Sequence, residues 1–382
     1  MKRIGILTLL YNNYNYGGVL QAYALARYIC GLGYEAKVVL YSGENNVVYH
    51  SRKDKLSQYN VGEIAKRLLL KVESKLAGKK IQDIVNKRKE LFLKFEKENI
   101  PCTSVFSDEE LGHIDGEFDY FVSGSDQVWN PNCAFLLFLQ GFTESDSKKI
   151  SYAASISRSV LSEHEKDVLI PYISRFKSVS VREKTAKKLL TDSGIESVEV
   201  VIDPTFLITK QEWETLLDTS RARRKYVFCY FFSDSIEYRE KIYDFCKDKN
   251  LDLLYLPYAK QEYVSTDNAG SGERINEAGP KEFLKLIYDA EYVFTDSFHG
   301  VALSINFQKQ FFVFKRDKKN SAASMNSRIY DVLDLFGLSD RLIDSKDSIG
   351  DASKKTIDYN KVQTVLNDER LKSEHFLRNS FN

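Results

Sequence analysis

Short, almost wholly apolar runs that recur between helical stretches constrain this chain more than any other feature. "RIGILTLL" (3–10) has no polar/apolar alternation, as expected of a parallel strand covered on both faces. Gly17 and Gly18 follow, then "VLQAYALARYICGLG", apolar at helical spacing and closed by Gly31 and Gly33, then a second run, "YEAKVVLY". This is a β-α-β unit, whose right-handed crossover implies a parallel sheet. Strands resume with "FDYFVSG", "KISYAAS", "SVSVRE" and "SVEVVIDP". A second alternation begins at "YVFCYFF", passes through a helix over 236–249, "DLLYLP", the helix "KEFLKLIYDA" and "EYVFT", and ends at "QFFVF".

The expected fold is α/β, with two doubly wound, Rossmann-like domains facing a central cleft. A chain of 382 residues suits two domains. The divisions expected are a first domain over 1–207, a linker over 208–224, a second domain over 225–345 and a helical segment over 346–382. Open α/β sheets bind ligands at the carboxyl ends of their strands, so the turns there are where chemistry is sought.

The block 52–98 breaks the alternation. It is helical in period and visibly basic, and reads as an insertion. It admits three readings: an ordinary solvated face, a peripheral contact with an anionic membrane surface that presents a lipid-linked sugar, or a partner-binding element. The net charge of +1 argues against a nucleic-acid partner. Five scattered cysteines without a C-x-x-C pair argue against a disulfide framework or a zinc site. The amino-terminal apolar run lacks a small-residue cleavage site, and no apolar stretch reaches the roughly 18 residues of a membrane span. The expected location is cytoplasmic, with the inner membrane face as the site of any peripheral contact.

Five places carry candidate binding residues. Gly17 and Gly18 open the first helix, where unpaired N–H groups favour an anion; a tight packing turn is the alternative. After "FDYFVSG" come Ser125, Asp126, Gln127 and Trp129. The polar residues there line a cleft or cap a helix, and Trp129 forms a sugar-stacking wall or lies in the core. Arg158 and Arg182 follow apolar strands and suit bidentate binding of phosphate or carboxylate, although Arg182 with Glu183 also reads as a plain ion pair. Arg328 starts a helix behind the polar run "KNSAASMNS".

"TDSFHGVALSI" (295–305) holds the strongest single candidate. His299 stands where a strand gives way to a helix, and an imidazole there can act as general acid or base. Asp296 is the expected partner of its ring; a helix cap is the alternative role for the histidine.

Five segments, "NYGGVLQAYAL" (15–25), "VSGSDQVWNP" (122–131), "SVREKTAKKL" (180–189), "VIDPTFL" (201–207) and "TDSFHGVALSI", together resemble the polysaccharide pyruvyl transferase family in order and content. The resemblance runs over roughly residues 1–340. It implies a fold like that of the GT-B glycosyltransferases, and transfer of an enolpyruvyl unit from phosphoenolpyruvate to a sugar of a cell-surface or exported polysaccharide, as a pyruvate ketal. It implies no metal or organic cofactor. The family's arginine-x-histidine turn falls on Ser297-Phe298-His299. The histidine matches and carries the acid–base role; the arginine is replaced by Ser297. Arg328, Arg316 or Arg158 would then have to supply the missing cation, or the donor differs. Asp126 or Asp203 is the expected second carboxylate, Asp203 also serving to shape the turn at Pro204. A nucleotide-sugar glycosyltransferase and a non-catalytic glycan-binding relative are the alternatives.

Overall fold

The structure is a computed structural model. It describes residues 1–43, 46–49, 78–218, 220, 224–259, 264–269, 271–316, 327–344 and 346–382, with isolated positions between 62 and 72. Most of the basic block before residue 78, and most of the polar run ahead of Arg328, lie outside the described residues.

Two parallel sheets organise the chain. The first holds β1 (Arg3–Leu7), β2 (Glu35–Tyr41), β3 (Cys102–Phe106), β4 (Tyr120–Ser123) and β5 (Lys149–Ser151), in the order β3-β2-β1-β4-β5. The pair β6 (Val179–Val181) and β7 (Val198–Val200) continues it, through bridges from Ile150 to Ser178 and from Ala154 to Val181. The second sheet holds β8 (Tyr226–Tyr230), β9 (Asp252–Tyr255), β10 (Glu273–Arg274), β11 (Tyr292–Thr295), β12 (Gln310–Phe314) and β13 (Leu342–Ile343), in the order β10-β9-β8-β11-β12-β13. In both sheets the chain starts in the middle, builds outward one way, then returns to build the other. Each sheet therefore has a switch point, between β1 and β4 in one and between β8 and β11 in the other, where a crevice opens at the strand ends.

The helices used below are α1 (Tyr16–Gly31), α2 (Lys79–Asn99), α3 (Glu163–Ile173), α4 (Lys184–Asp192), α5 (Pro204–Leu207), α6 (Ile236–Lys249), α7 (Pro280–Asp289), α8 (Phe298–Asn306), α9 (Ser327–Leu335) and α10 (Tyr359–Ser380). α1 and α8 are apolar nearly all round, which suits helices sealed on every side. They meet between the sheets, and one hydrophobic cluster runs through both halves: Ile4, Ile6 and Val38 from the first sheet, Phe228, Tyr230 and Val293 from the second, with α1, α7 and α8 between. The opposite strand faces feed two outer clusters, around Leu7, Val39 and Phe121 and around Val227, Phe294 and Phe312.

Two further elements tie the halves together. Helix α2, the carboxyl end of the basic block, buries Ile84, Val85, Arg88, Phe92 and Phe95 on one stripe. Phe92 packs on Tyr16 at 4.8 Å between ring centres, and Arg88 donates to the carbonyls of Asn276, Pro257 and Ile275 at 2.7–3.0 Å. This part of the block is not simply a solvated face: its apolar period needs cover on both sides of the interface. Helix α10 leaves the second half and returns to the first, where Ser373 Oγ accepts from the Ile202 amide and Tyr28 donates to Glu374.

Candidate functional site

The strand ends of the two sheets converge on one buried cluster. From the first sheet, Arg182 follows β6 and Asp203 follows β7; from the second, His299 opens α8 after β11. Asp203 is fully buried. It accepts from Arg182 Nη1 at 2.7 Å and from the Ser125 hydroxyl at 3.1 Å on one oxygen, and from Thr205 N and Oγ1 at 2.9 and 2.7 Å on the other. It thus caps the short helix α5, whose first position is Pro204. The same oxygen that meets Arg182 lies 3.7 Å from His299 Nε2. Burial alone would raise the Asp203 carboxyl, but the facing imidazole and the Arg182 guanidinium outweigh it and hold it well below the usual carboxylate range.

Arg182 is 2 % exposed at its side chain and is surrounded by acid: Asp203 at 2.7 Å, Glu183 at 3.2 Å and Asp126 at 3.7 Å. Its guanidinium also lies 4.2 Å from the ring centre of Phe298. Burial opposes its charge, but the three carboxylates win and hold its pKa above the ordinary arginine value. The pairing with Glu183 read from the sequence is present, as one contact within this larger cluster. Asp126 reaches the cluster from a left-handed backbone, φ 69°, a strained conformation for a residue with a side chain.

Arg328, at the start of α9, is buried beside these groups. Its nearest acid is Asp126 at 3.9 Å, and the Gln127 amide, turned with its oxygen inward, accepts from it at 3.1 and 3.3 Å. Arg328 Nε and Arg182 Nη2 are sealed from solvent without a hydrogen bond. Burial and the like charges of Arg182 and Arg316 push Arg328 down to about 10, against the pull of Asp126 and Glu183. Arg316 stacks 4.4 Å from the Phe232 ring centre and donates to the Asp296 carbonyl at 3.0 Å. A cleft of ≈ 370 Å³ runs from Arg182, Asp203, Phe298 and Arg328 outward between α4 and α9, over an apolar wall that includes Phe206 and Val332.

His299 rests on α1. Asn15 caps that helix by accepting from the Gly17 and Gly18 amides, and a β-carbon added to Gly17 would lie 2.0 Å from His299 Nδ1. Only glycine leaves room for the ring. Gly18 packs instead against Asn13.

Several expected roles fall elsewhere. Asp296 does not orient the imidazole: its two carboxylate oxygens accept from the Phe232 and Ser233 amides at 2.7 and 2.8 Å and shape the turn after β8. Ser297 is the cap of α8, accepting from Gly300 N, which gives a local reason for a short hydroxyl where the family turn has arginine. Arg158 is held by Glu165 at 2.7 Å; that carboxylate also takes the Tyr49 hydroxyl and closes the capping box of α3. Ser125 caps no helix, since its hydroxyl is shared between Ala153 O and Asp203. Trp129 lies in the core, fully buried and edge-on to Phe176, so it forms no sugar wall. The proximity of Asp203 to His299 had no local signal, because the two come from different sheets. Among the described residues, no group of three histidine, cysteine, aspartate or glutamate side chains could hold a metal ion. Nor is any helix there long and apolar enough to cross a membrane.

Comparison with known proteins adds two findings. Residues 15–318 match the family described as polysaccharide pyruvyl transferase. Among solved structures, a UDP-N-acetylglucosamine 2-epimerase from Rickettsia bellii aligns with TM-score 0.55 at 10% identity, covering 99% of this chain and 95% of that one. A UDP-GlcNAc 2-epimerase from Methanocaldococcus jannaschii aligns with TM-score 0.50 at 12% identity, covering 87% and 92%. At such identities these neighbours show the fold alone, the two-sheet GT-B arrangement. No curated protein sequence matches the chain.

Proposed function

Because the chain belongs to the polysaccharide pyruvyl transferase family, we propose that it moves an enolpyruvyl unit from phosphoenolpyruvate onto two hydroxyls of a sugar, releasing phosphate and closing a pyruvate ketal. The observation that carries this reading is the pair of buried guanidiniums, Arg182 and Arg328, which line a cleft and each keep an N–H without a hydrogen bond, while Asp203 beside Arg182 lies 3.7 Å from His299. Phosphoenolpyruvate brings a phosphate and a carboxylate, and planar guanidinium forks suit both. An anion between them would relieve the crowding of like charge that depresses Arg328.

The chemistry then needs little more than proton traffic. One sugar hydroxyl adds to C2 of the donor while a proton goes to the C3 methylene, and the second hydroxyl displaces phosphate from C2. His299 is the group for the proton at C3 or at the attacking hydroxyl. Asp126 borders the arginines and is a second acid–base candidate. The apolar wall around Phe206 and Val332 suits the sugar's ring face or a lipid carrier beyond it.

Calorimetric titration with phosphoenolpyruvate, beside UDP as control, tests the reading. Saturable binding is expected, weakened roughly 10- to 100-fold in Arg328→Ala by loss of a charge-assisted hydrogen bond. Binding of UDP with no response to phosphoenolpyruvate would assign the cleft to nucleotide chemistry instead.

A further inference from the structure

With Asp296 engaged by the Phe232 and Ser233 amides, a different carboxylate stands at the histidine. We propose that Asp203 is the positioning residue for His299: its buried carboxylate holds the Nε2–H of the neutral ring and so fixes the ring's tautomer and orientation. This rests on the reading of His299 as the proton-transfer group.

Four observations carry it. His299 Nε2 is sealed from solvent with no hydrogen bond, and the oxygen of Asp203 is 3.7 Å away. A ring nitrogen gains from facing a carboxylate only when it carries the proton; a lone pair there is repelled. Asp203 is anchored without the histidine's help, through Thr205, Arg182 and Ser125, so it is a rigid acceptor rather than one that follows the ring. It is also held ionised, since the charges around it outweigh its burial. The gap of a few tenths of an ångström beyond hydrogen-bond reach is of the kind that closes when substrate binds. Finally, the bare α-carbon of Gly17 packs against the Nδ1 edge, where a β-carbon would lie 2.0 Å from the nitrogen, so the ring is seated with Nε2 toward Asp203.

The tautomer is measurable directly. Long-range proton–nitrogen correlation spectra of protein labelled at its five histidines resolve each ring, and loss of signals in His299→Gln assigns the one in question. A protonated Nε2 and an unprotonated Nδ1 are expected in the neutral ring; the opposite tautomer, or an even mixture of the two, overturns the proposal. This arm needs no donor, so a correct tautomer without phosphoenolpyruvate binding would uphold the positioning role and sink only the donor reading.

The kinetic arm uses Asp203→Asn, which keeps an oxygen for the Thr205 cap. Turnover is expected to fall about 10²- to 10⁴-fold, as when a histidine loses control of its tautomer, with a much smaller change in KM. In the His299→Gln background the same substitution should add less than about threefold, because residues acting as a unit are not additive. Full additivity would mean that Asp203 serves only the fold. Should Asp203→Asn fail to fold, the spectra of the unaltered protein still decide.

Discussion

The guanidinium of Arg182 lies 4.2 Å from the ring centre of Phe298, so a cation from the end of β6 in one sheet covers the first residue of α8 in the other. The turn that lacks an arginine in its own sequence is thus met by one from across the interface. Position 297 next to it is buried and occupied by a helix cap.

Restoring the family residue should therefore harm the protein. Ser297→Arg loses the cap, crowds a sealed site and adds a third cation near Arg182 and Arg328. A loss of about 2–4 kcal/mol is expected in urea unfolding, with no gain in phosphoenolpyruvate affinity.

Gly17→Ala places a methyl where the His299 ring stands. The ring must move by about an ångström, and misplacement on that scale costs roughly 10²-fold in turnover. Steady-state kinetics beside a thermal melt would separate this from unfolding: activity should fall far more than melting temperature.

Arg328 opposes folding while no anion is bound. A cation whose folded-state pKa, here about 10, lies below its unfolded value destabilises the fold at every pH below the folded value. The penalty fades only as pH rises through that value. Arg328→Met should accordingly melt about 2–4 °C higher than the parent without ligand. It should also lose the upward shift that phosphoenolpyruvate gives the parent.

Glu96 on α2 is half-buried, with one carboxyl oxygen sealed and unpartnered, and burial pushes its pKa up to about 7. An acid raised in the folded state binds protons there that the unfolded chain has released. Its effect on stability thus worsens as pH climbs from about 4.5 to about 7, then levels. Glu96→Gln should be more stable than the parent by about 1–2 kcal/mol at pH 8, after discounting for partial exposure, and nearly equal to it at pH 4.5. Urea unfolding at the two pH values checks this.

Arg88 gives three hydrogen bonds to carbonyls of the second half. Truncation to alanine leaves those carbonyls short of donors and should cost about 3 kcal/mol or more in chemical denaturation.

Much of the architecture was legible because it is written locally. An apolar run such as "RIGILTLL" has few options other than a doubly covered strand, and Gly17, Ser125, Arg182 and His299 all sit where such runs end. What escaped the sequence is what depends on the two sheets meeting. Asp203 reads as a second carboxylate of the cleft or as a turn-shaping residue before Pro204, and it does shape that turn; nothing beside it announces an imidazole from β11's far end. Asp296, next door to His299 in sequence, was the natural partner, but a carboxylate within the same turn has nearer amides to satisfy. Arg88 reads as one more charge in a basic block, because the carbonyls it serves lie far along the chain.

The shared hydrophobic cluster has a consequence for how the molecule comes apart. Side chains of both sheets and of α1, α7 and α8 fill one continuous interior, so neither half can melt while the other keeps its packing. Heating should give a single calorimetric endotherm. A chain cut to its first half would leave the inner surface of α1 wet and sticky. The halves should then behave as one cooperative unit, and the cleft lined from both of them should owe its rigidity to that shared interior.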